Sequence, residues 1–223
     1  MKLEIACFNL RAALIAHENM ADRIELCSDI SVGGLTPEYD TVTAARTKLS
    51  VDLFVMIRPR GGDFVYSEKE FKQMKKDIIQ LKKMRVDGFV FGILNDNKTV
   101  NKKQNKELVK LAAPLPCTFH RAFDEVSNPR QALEDIIECG FKTILTSGQK
   151  STVVDGINLL TELIHKAENR IVIMPSGGVR SSNISLLKNK IDTPYFHSSA
   201  IIDNGEHPNV KEIQLLRRKL NEK

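Results

Sequence analysis

Val51-Asp-Leu-Phe-Val-Met-Ile-Arg-Pro-Arg-Gly-Gly-Asp63 reads as a buried strand that runs without a spacer into a stiff, cationic loop. The first half is apolar and rich in residues that suit a pleated, buried surface. Pro59 fixes its own φ and pushes Arg58 into an extended conformation. Gly61 and Gly62 allow the tight reversal that follows. A buried strand ending in guanidinium groups is one way a barrel enzyme holds an anion at its C-terminal face. The competing reading is that Arg58 and Arg60 pair with structural carboxylates.

Outward from this stretch the same unit recurs in both directions. Strands are predicted at 3–8, 22–27, 51–57, 88–93, 117–121, 143–147, 170–174 and 195–198. Helices are predicted between them, near 10–20, 38–48, 102–112, 152–167, 182–188 and 209–220. One more starts at the capping box Ser67-x-x-Glu70. Another runs from the N-cap and N1 pair Asn128-Pro129 to Gly140. Eight strand–helix units give an α/β chain folded as a single parallel (β/α)8 TIM barrel, one domain over residues 1–223. An open doubly wound sheet is the alternative. It lacks a Gly-x-Gly-x-x-Gly after the first strand, so no nucleotide cofactor is expected.

Composition narrows the class. A chain with 42% hydrophobic and 27% charged residues is ordinary for a soluble globular protein. No apolar run approaches a membrane span, and Glu4 interrupts what would otherwise resemble a leader, so a cytoplasmic protein with no membrane partner is expected. Cys7, Cys27, Cys117 and Cys139 are far apart and read as free thiols. The net charge of +5 comes from lysines scattered over amphipathic helices, and there is no tryptophan to stack bases. Nucleic acid is therefore not an expected partner.

In a barrel of this kind the strand C-termini face one shared site. Here they carry Glu25, Cys27, Arg58, Arg60, Asp63, His120, Arg121, Asp124, Thr146, Ser147, Ser176, His197 and Ser198, whereas the strand N-termini read as largely without such groups. Period-two alternation turns Glu4, Ala6, Arg23, Glu25, Cys27, Met56, Arg58, Thr118 and His120 inward. It sends Leu3, Ile5, Cys7, Leu53, Val55 and Phe119 to the helix side. Cys7 and Cys27 should thus face opposite ways. Met174-Pro-Ser-Gly-Gly-Val179 and His197-Ser-Ser-Ala200 fall where barrels often bind phosphate, with Ser176, Gly177, Gly178, His197 and Ser198 as candidate contacts beside Arg58, Arg60 and Arg121. A plain strand-to-helix turn also favours Gly and Ser.

Several of these motifs together resemble the CutC family: Ala21-Asp-Arg-Ile-Glu-Leu-Cys27 with Gly33-Gly-Leu-Thr-Pro37, Val55-Met-Ile-Arg-Pro-Arg-Gly-Gly-Asp-Phe64, Thr118-Phe-His-Arg-Ala-Phe-Asp124, Leu145-Thr-Ser-Gly148 and Phe196-His-Ser-Ser-Ala200. The resemblance spans essentially the whole chain in order. It implies a (β/α)8 barrel, a cytosolic location, a homodimer or higher homo-oligomer and a role in copper homeostasis, without naming a reaction. It also implies copper(I) ligation by cysteines matching Cys7 and Cys27. Ser176 and Cys117 depart from the family pattern. Two readings follow. In one, Cys27, Met56, His120 and His197 offer soft ligands to Cu(I), and the arginines lower the pKa of Cys27. In the other, the chain is an enzyme: the arginines clamp a small anionic ligand, Glu25 and His120 serve as general acid and base, and Asp124 orients a partner.

Overall fold

Strands and helices alternate through the whole chain in the computed structural model, which describes residues 1–203 and 205–222. The order is β1 (Lys2–Cys7), α1 (Leu10–Glu18), β2 (Arg23–Leu26), α2 (Tyr39–Lys48), β3 (Asp52–Met56), α3 (Glu68–Lys83), β4 (Gly88–Phe91) and α4 (Lys102–Ala112). It continues with β5 (Cys117–Phe119), α5 (Pro129–Cys139), β6 (Thr143–Thr146), α6 (Ile157–Ala167), β7 (Val172–Pro175), α7 (Ile184–Lys190), β8 (Tyr195–Ser198) and α8 (Val210–Asn221). The strands form one parallel sheet ordered β7-β6-β5-β4-β3-β2-β1-β8. Between β7 and β8 there is packing but no ladder among the described residues. Side chains stitch that seam instead. Thr193 Oγ1 donates to the Ile173 carbonyl and Ser198 Oγ to the Val179 carbonyl, each at 2.7 Å. The result is a nearly closed (β/α)8 barrel.

Alternation sorts the wall as expected. Leu3, Ile5, Cys7, Ile24, Leu26, Leu53, Val55, Phe119 and Cys117 join the apolar layer between strands and helices. Cys27, Phe54, Met56 and Val90 form a separate small cluster inside the barrel, with Phe8 packed on it. The register sets one layer of the interior, because Glu4 lies opposite Arg23 on β2 and His197 on β8. Ala6 lies opposite Glu25 one step further up, so a small side chain leaves room beside the carboxyl.

Local signals hold where backbone chemistry sets them. Both halves of the Ser67–Glu70 capping box form, and Asn128 caps α5 ahead of Pro129. Gly140 ends α5 at φ 94°. Two expectations need correcting. The helix expected from residue 152 starts only at Ile157, since Gly156 lies against the end of β6. A Cβ there would come within 1.8 Å of the Ser147 carbonyl oxygen. Residues 149–156 instead cover the barrel top, with Val153 N donating to the Gly177 carbonyl at 2.8 Å. The lower end is also polar rather than bare. Arg23, Asp52, Asp87, Lys142, Thr143 and Tyr195 line a pocket of about 430 Å³ there. Among the described residues no helix is long and apolar enough to cross a membrane.

Candidate active site

At the upper end of the barrel a pocket of about 110 Å³ is lined by Ala6, Phe8, Glu25, Gly33, Met56, Arg58, Phe64, His120, Arg121, Leu145 and His197. Larger clefts exist on the flank and floor, but this one holds the buried Glu25, His120 and His197 together. Strands supply most of them, and rigid strand ends hold side chains more tightly than free loops do.

Four buried groups form a chain that rises from beneath the pocket into its wall. Arg23 Nε donates to Glu4 Oε2 at 2.5 Å, with its guanidinium between the rings of Phe54 and Tyr195. Glu4 Oε1 meets His197 Nδ1 at 2.6 Å. His197 Nε2 faces Glu25 Oε2 at 3.8 Å, close enough for charge attraction but too far for a hydrogen bond. Burial alone would raise Glu4, but Arg23 and His197 outweigh it and keep its carboxyl below the usual range. Burial works against the His197 imidazolium too. The hydrogen bond to Glu4 and the charge of Glu25 overcome that and raise its pKa. Glu25 has less support. Burial is the largest influence, His197 only partly offsets it, and the carboxyl is pushed up to about 7. That suits a group that must both give and take a proton near neutrality.

His120 ends β5 beside Gly92, where a Cβ would approach its Nδ1 to 2.9 Å, so only glycine leaves the ring its place. The ring packs against Phe64 at a tilt of 56°, with 4.8 Å between centroids. Burial, then the charge of Arg58, drives its pKa down to about 3, so the imidazole is neutral.

The arginines are employed differently from the sequence expectation. The buried Arg58 donates from Nη1 to the carbonyls of Val32 (2.7 Å) and Gly34 (3.2 Å), and from Nη2 to that of Gly62 (2.9 Å). It ties two loops together with both Nη groups and leaves the pocket its charge and an unpartnered Nε–H. Arg60 turns away to Glu70 (2.6 Å) and Asp63 (2.9 Å), which is the structural-carboxylate pairing weighed above. Arg121 is the accessible guanidinium, its side chain 46% exposed. Nε and Nη2 rest on Asp124 and Ser147 Oγ, and among the described residues Nη1 has no hydrogen-bond partner. Asp124 does not line the pocket, but it accepts from Arg121 Nε at 2.8 Å and so holds in place a side chain that does. It accepts from Thr146 Oγ1 and the amides of Ser147 and Gln149, anchoring the loop after β6. Gly177 and Gly178 form the turn after β7 (φ 84° and 85°), with Gly177 close beside Arg121, and Ser176 Oγ is buried without a partner. Ser198 is used by the seam and by Arg180.

The thiols are separated by the barrel wall. Cys7 packs in the outer layer with its S–H toward the Ile5 carbonyl, and Cys27 packs inside. Burial, then the nearby Glu25 carboxylate, raises the Cys27 pKa well above the usual thiol range, opposite to the lowering expected from the arginines. Arg58 and Arg60 are engaged elsewhere, so Glu25 is the neighbour that counts. Among the described residues no three His, Cys, Asp or Glu side chains cluster as a metal site. Glu4 and Arg23, absent from the sequence-based candidates, prove to be the base of the chain under the pocket. Their signal was visible, since both are charges at inward positions within a strand.

Comparison with known proteins agrees along the whole barrel. A family model described as the CutC family matches residues 1–202. A Homo sapiens protein named copper homeostasis protein cutC homolog is 41% identical over 198 residues, covering 89% of this chain and 72% of that protein. A family protein CutC of Photorhabdus laumondii is 44% identical over 183 residues, 82% of this chain and 73% of its own. A solved CutC structure from Streptococcus agalactiae superposes with a TM-score of 0.85 at 30% identity, covering 89% of this chain and 98% of that one. With the barrel, its strand-end motifs and these relatives in agreement, the chain belongs to the CutC family.

Proposed function

We propose that this chain is an enzyme that performs acid–base chemistry on a small anionic metabolite at the barrel mouth. One observation carries the reading. Glu25 Oε1, His120 Nε2 and Arg58 Nε, all buried, have no hydrogen-bond partner, and all three residues line the same pocket. Buried polar atoms are nearly always paired, because leaving one unpaired costs roughly 1–3 kcal/mol. Three in one cavity imply a ligand that completes them. Glu25 is the general acid–base, His197 and Glu4 set its charge, and Arg121 beside the Gly177–Gly178 turn receives the anionic end.

The Homo sapiens relative and the Streptococcus agalactiae structure are named for copper homeostasis, and Cu(I) would enter this chain as cargo rather than as a catalyst. Its residues fit a two-cysteine copper site poorly, since Cys7 and Cys27 lie on opposite sides of the wall and Cys27 holds its proton. Thermal-shift and calorimetric titration with phosphate, sulfate and small carboxylates tests the enzyme reading. Anions should stabilise the wild type and lose affinity in Arg121→Gln. No anion-dependent stabilisation, together with a higher melting temperature in Cu(I), would replace this reading with direct copper binding.

A further inference from the structure

The orientation of His120 narrows the chemistry. Its Nδ1 accepts a hydrogen bond from the Ala122 amide at 3.2 Å. A ring nitrogen that accepts carries no proton, so the neutral imidazole bears its proton on Nε2. That N–H is the unpartnered atom, in a side chain only 3% exposed. The pocket therefore presents a buried, fixed, uncharged N–H donor. Such a donor suits an oxygen on which negative charge develops, as when a neutral imidazole polarises a carbonyl during proton abstraction from the adjacent carbon.

Glu25 completes the pair. Its free Oε1 belongs to a residue likewise 3% exposed, in a wall that combines Phe8, Met56, Phe64 and Leu145 with Arg58, Arg121 and His197. A base that activates water or a hydroxyl needs polar neighbours aimed at that group. A C–H bond makes no hydrogen bond, so the base that attacks it keeps its attacking oxygen free, as Oε1 is, while His197 steadies the other oxygen.

From this geometry we infer that the pocket takes a small oxo compound with a carboxylate or phosphate end, and that Glu25 moves a proton on the carbon next to its carbonyl. The inference rests on the enzyme reading above. Glu25 Oε1 takes the proton from that carbon. The C–H pair becomes a C=C bond, and the carbonyl π pair moves to oxygen, where it is held by His120 Nε2–H. Return of the proton to the same carbon restores the Glu25 carboxylate; in a hydroxyketone, delivery to the former carbonyl carbon does the same once the neighbouring hydroxyl proton has passed to the enolate oxygen, so that this hydroxyl becomes the new carbonyl. Nothing is oxidised overall and no second substrate is consumed. His197, 3.8 Å from Glu25 Oε2, supports the carboxylate while the proton is away.

The experiment follows hydrogen–deuterium exchange by proton NMR in D2O, with pyruvate as the carboxylate probe and dihydroxyacetone phosphate as the phosphate probe. Oxalate and 2-phosphoglycolate, which resemble the corresponding enolates, are titrated in parallel. The expected result is protein-dependent exchange at the carbon next to the carbonyl in one probe, which also identifies the anionic end. Glu25→Gln should slow exchange by about 100-fold or more. His120→Gln should slow it by roughly 10- to 100-fold. If Glu25→Gln does not fold, Glu25→Asp keeps the carboxylate but withdraws it, and should slow exchange while binding the enolate mimic normally. Exchange that persists in Glu25→Gln overturns the inference. Binding of an enolate mimic without exchange of either probe overturns the proton transfer and leaves the anion-binding mouth standing. Neither binding nor exchange overturns both.

Discussion

His197 Nδ1 lies 2.6 Å from Glu4 Oε1, across the β1–β8 ladder in which these two residues are register partners. The contact is therefore dictated by strand pairing, and it joins the mouth to the ion pair beneath it. Glu4→Gln would leave Arg23 as a buried cation without its counter-charge. Breaking a buried pair from one side costs about 3–5 kcal/mol. A loss of that size is expected in urea denaturation, and a stability unchanged within error would show that Arg23 finds another partner.

Glu25 and His120 tilt the pH dependence of stability in opposite senses. Glu25 is raised from 4.5 to about 7. The folded chain thus keeps a proton that the unfolded chain releases, a contribution that is full below pH 4.5 and lost as pH rises through about 7. His197, also raised, acts in the same sense. His120 is lowered from 6.5 to about 3, so its contribution is full above 6.5 and is lost as pH falls toward 3. Between pH 4.5 and 6.5 the slopes oppose each other. Glu25→Gln should unmask the His120 contribution, giving a melting temperature that drops more steeply than wild type as pH falls through that window. Parallel curves for the two proteins would contradict the assignment.

Arg58 and Arg121 should separate stability from anion affinity. Arg58→Ala removes three donors from the Val32, Gly34 and Gly62 carbonyls and is expected to destabilise the fold by about 2–3 kcal/mol. Lysine cannot reproduce the planar fork and should recover only part of this. Arg121→Gln, at a half-exposed site, should change the melting temperature little and weaken phosphate or carboxylate binding about tenfold. Calorimetry on both variants distinguishes the roles. Loss of anion affinity in Arg58→Ala at unchanged stability would exchange them.

Cys7→Ser and Cys27→Ser should not behave alike toward Cu(I). The two thiols occupy different apolar layers, so one ion cannot take both without a change in the wall. A Cu(I) titration in which a single tight site disappears equally in both variants would show that the wall reorganises.

Much of this protein was legible in its sequence because the relevant physics is local. A period of two decides which face of a strand is buried, and that placed Glu25 and His120 inside and Cys7 outside. Caps such as Ser67 with Glu70, Asn128 and Gly140 satisfy backbone groups within a few residues, so they too can be read directly. What the side chains do once inside depends on neighbours far away in the chain. Arg58 is used by carbonyls 24 and 26 residues earlier, and Asp124 by a loop more than 20 residues later. The Glu4–His197 contact spans 193 residues and exists only because the barrel brings β8 beside β1. Burial, which sets the proton affinities of Cys27, Glu25 and His120, is likewise a property of the assembled wall. The sequence by itself determined the barrel and its inward residues. Which of them pair, and which are left unpaired to face a ligand, only the tertiary structure decided.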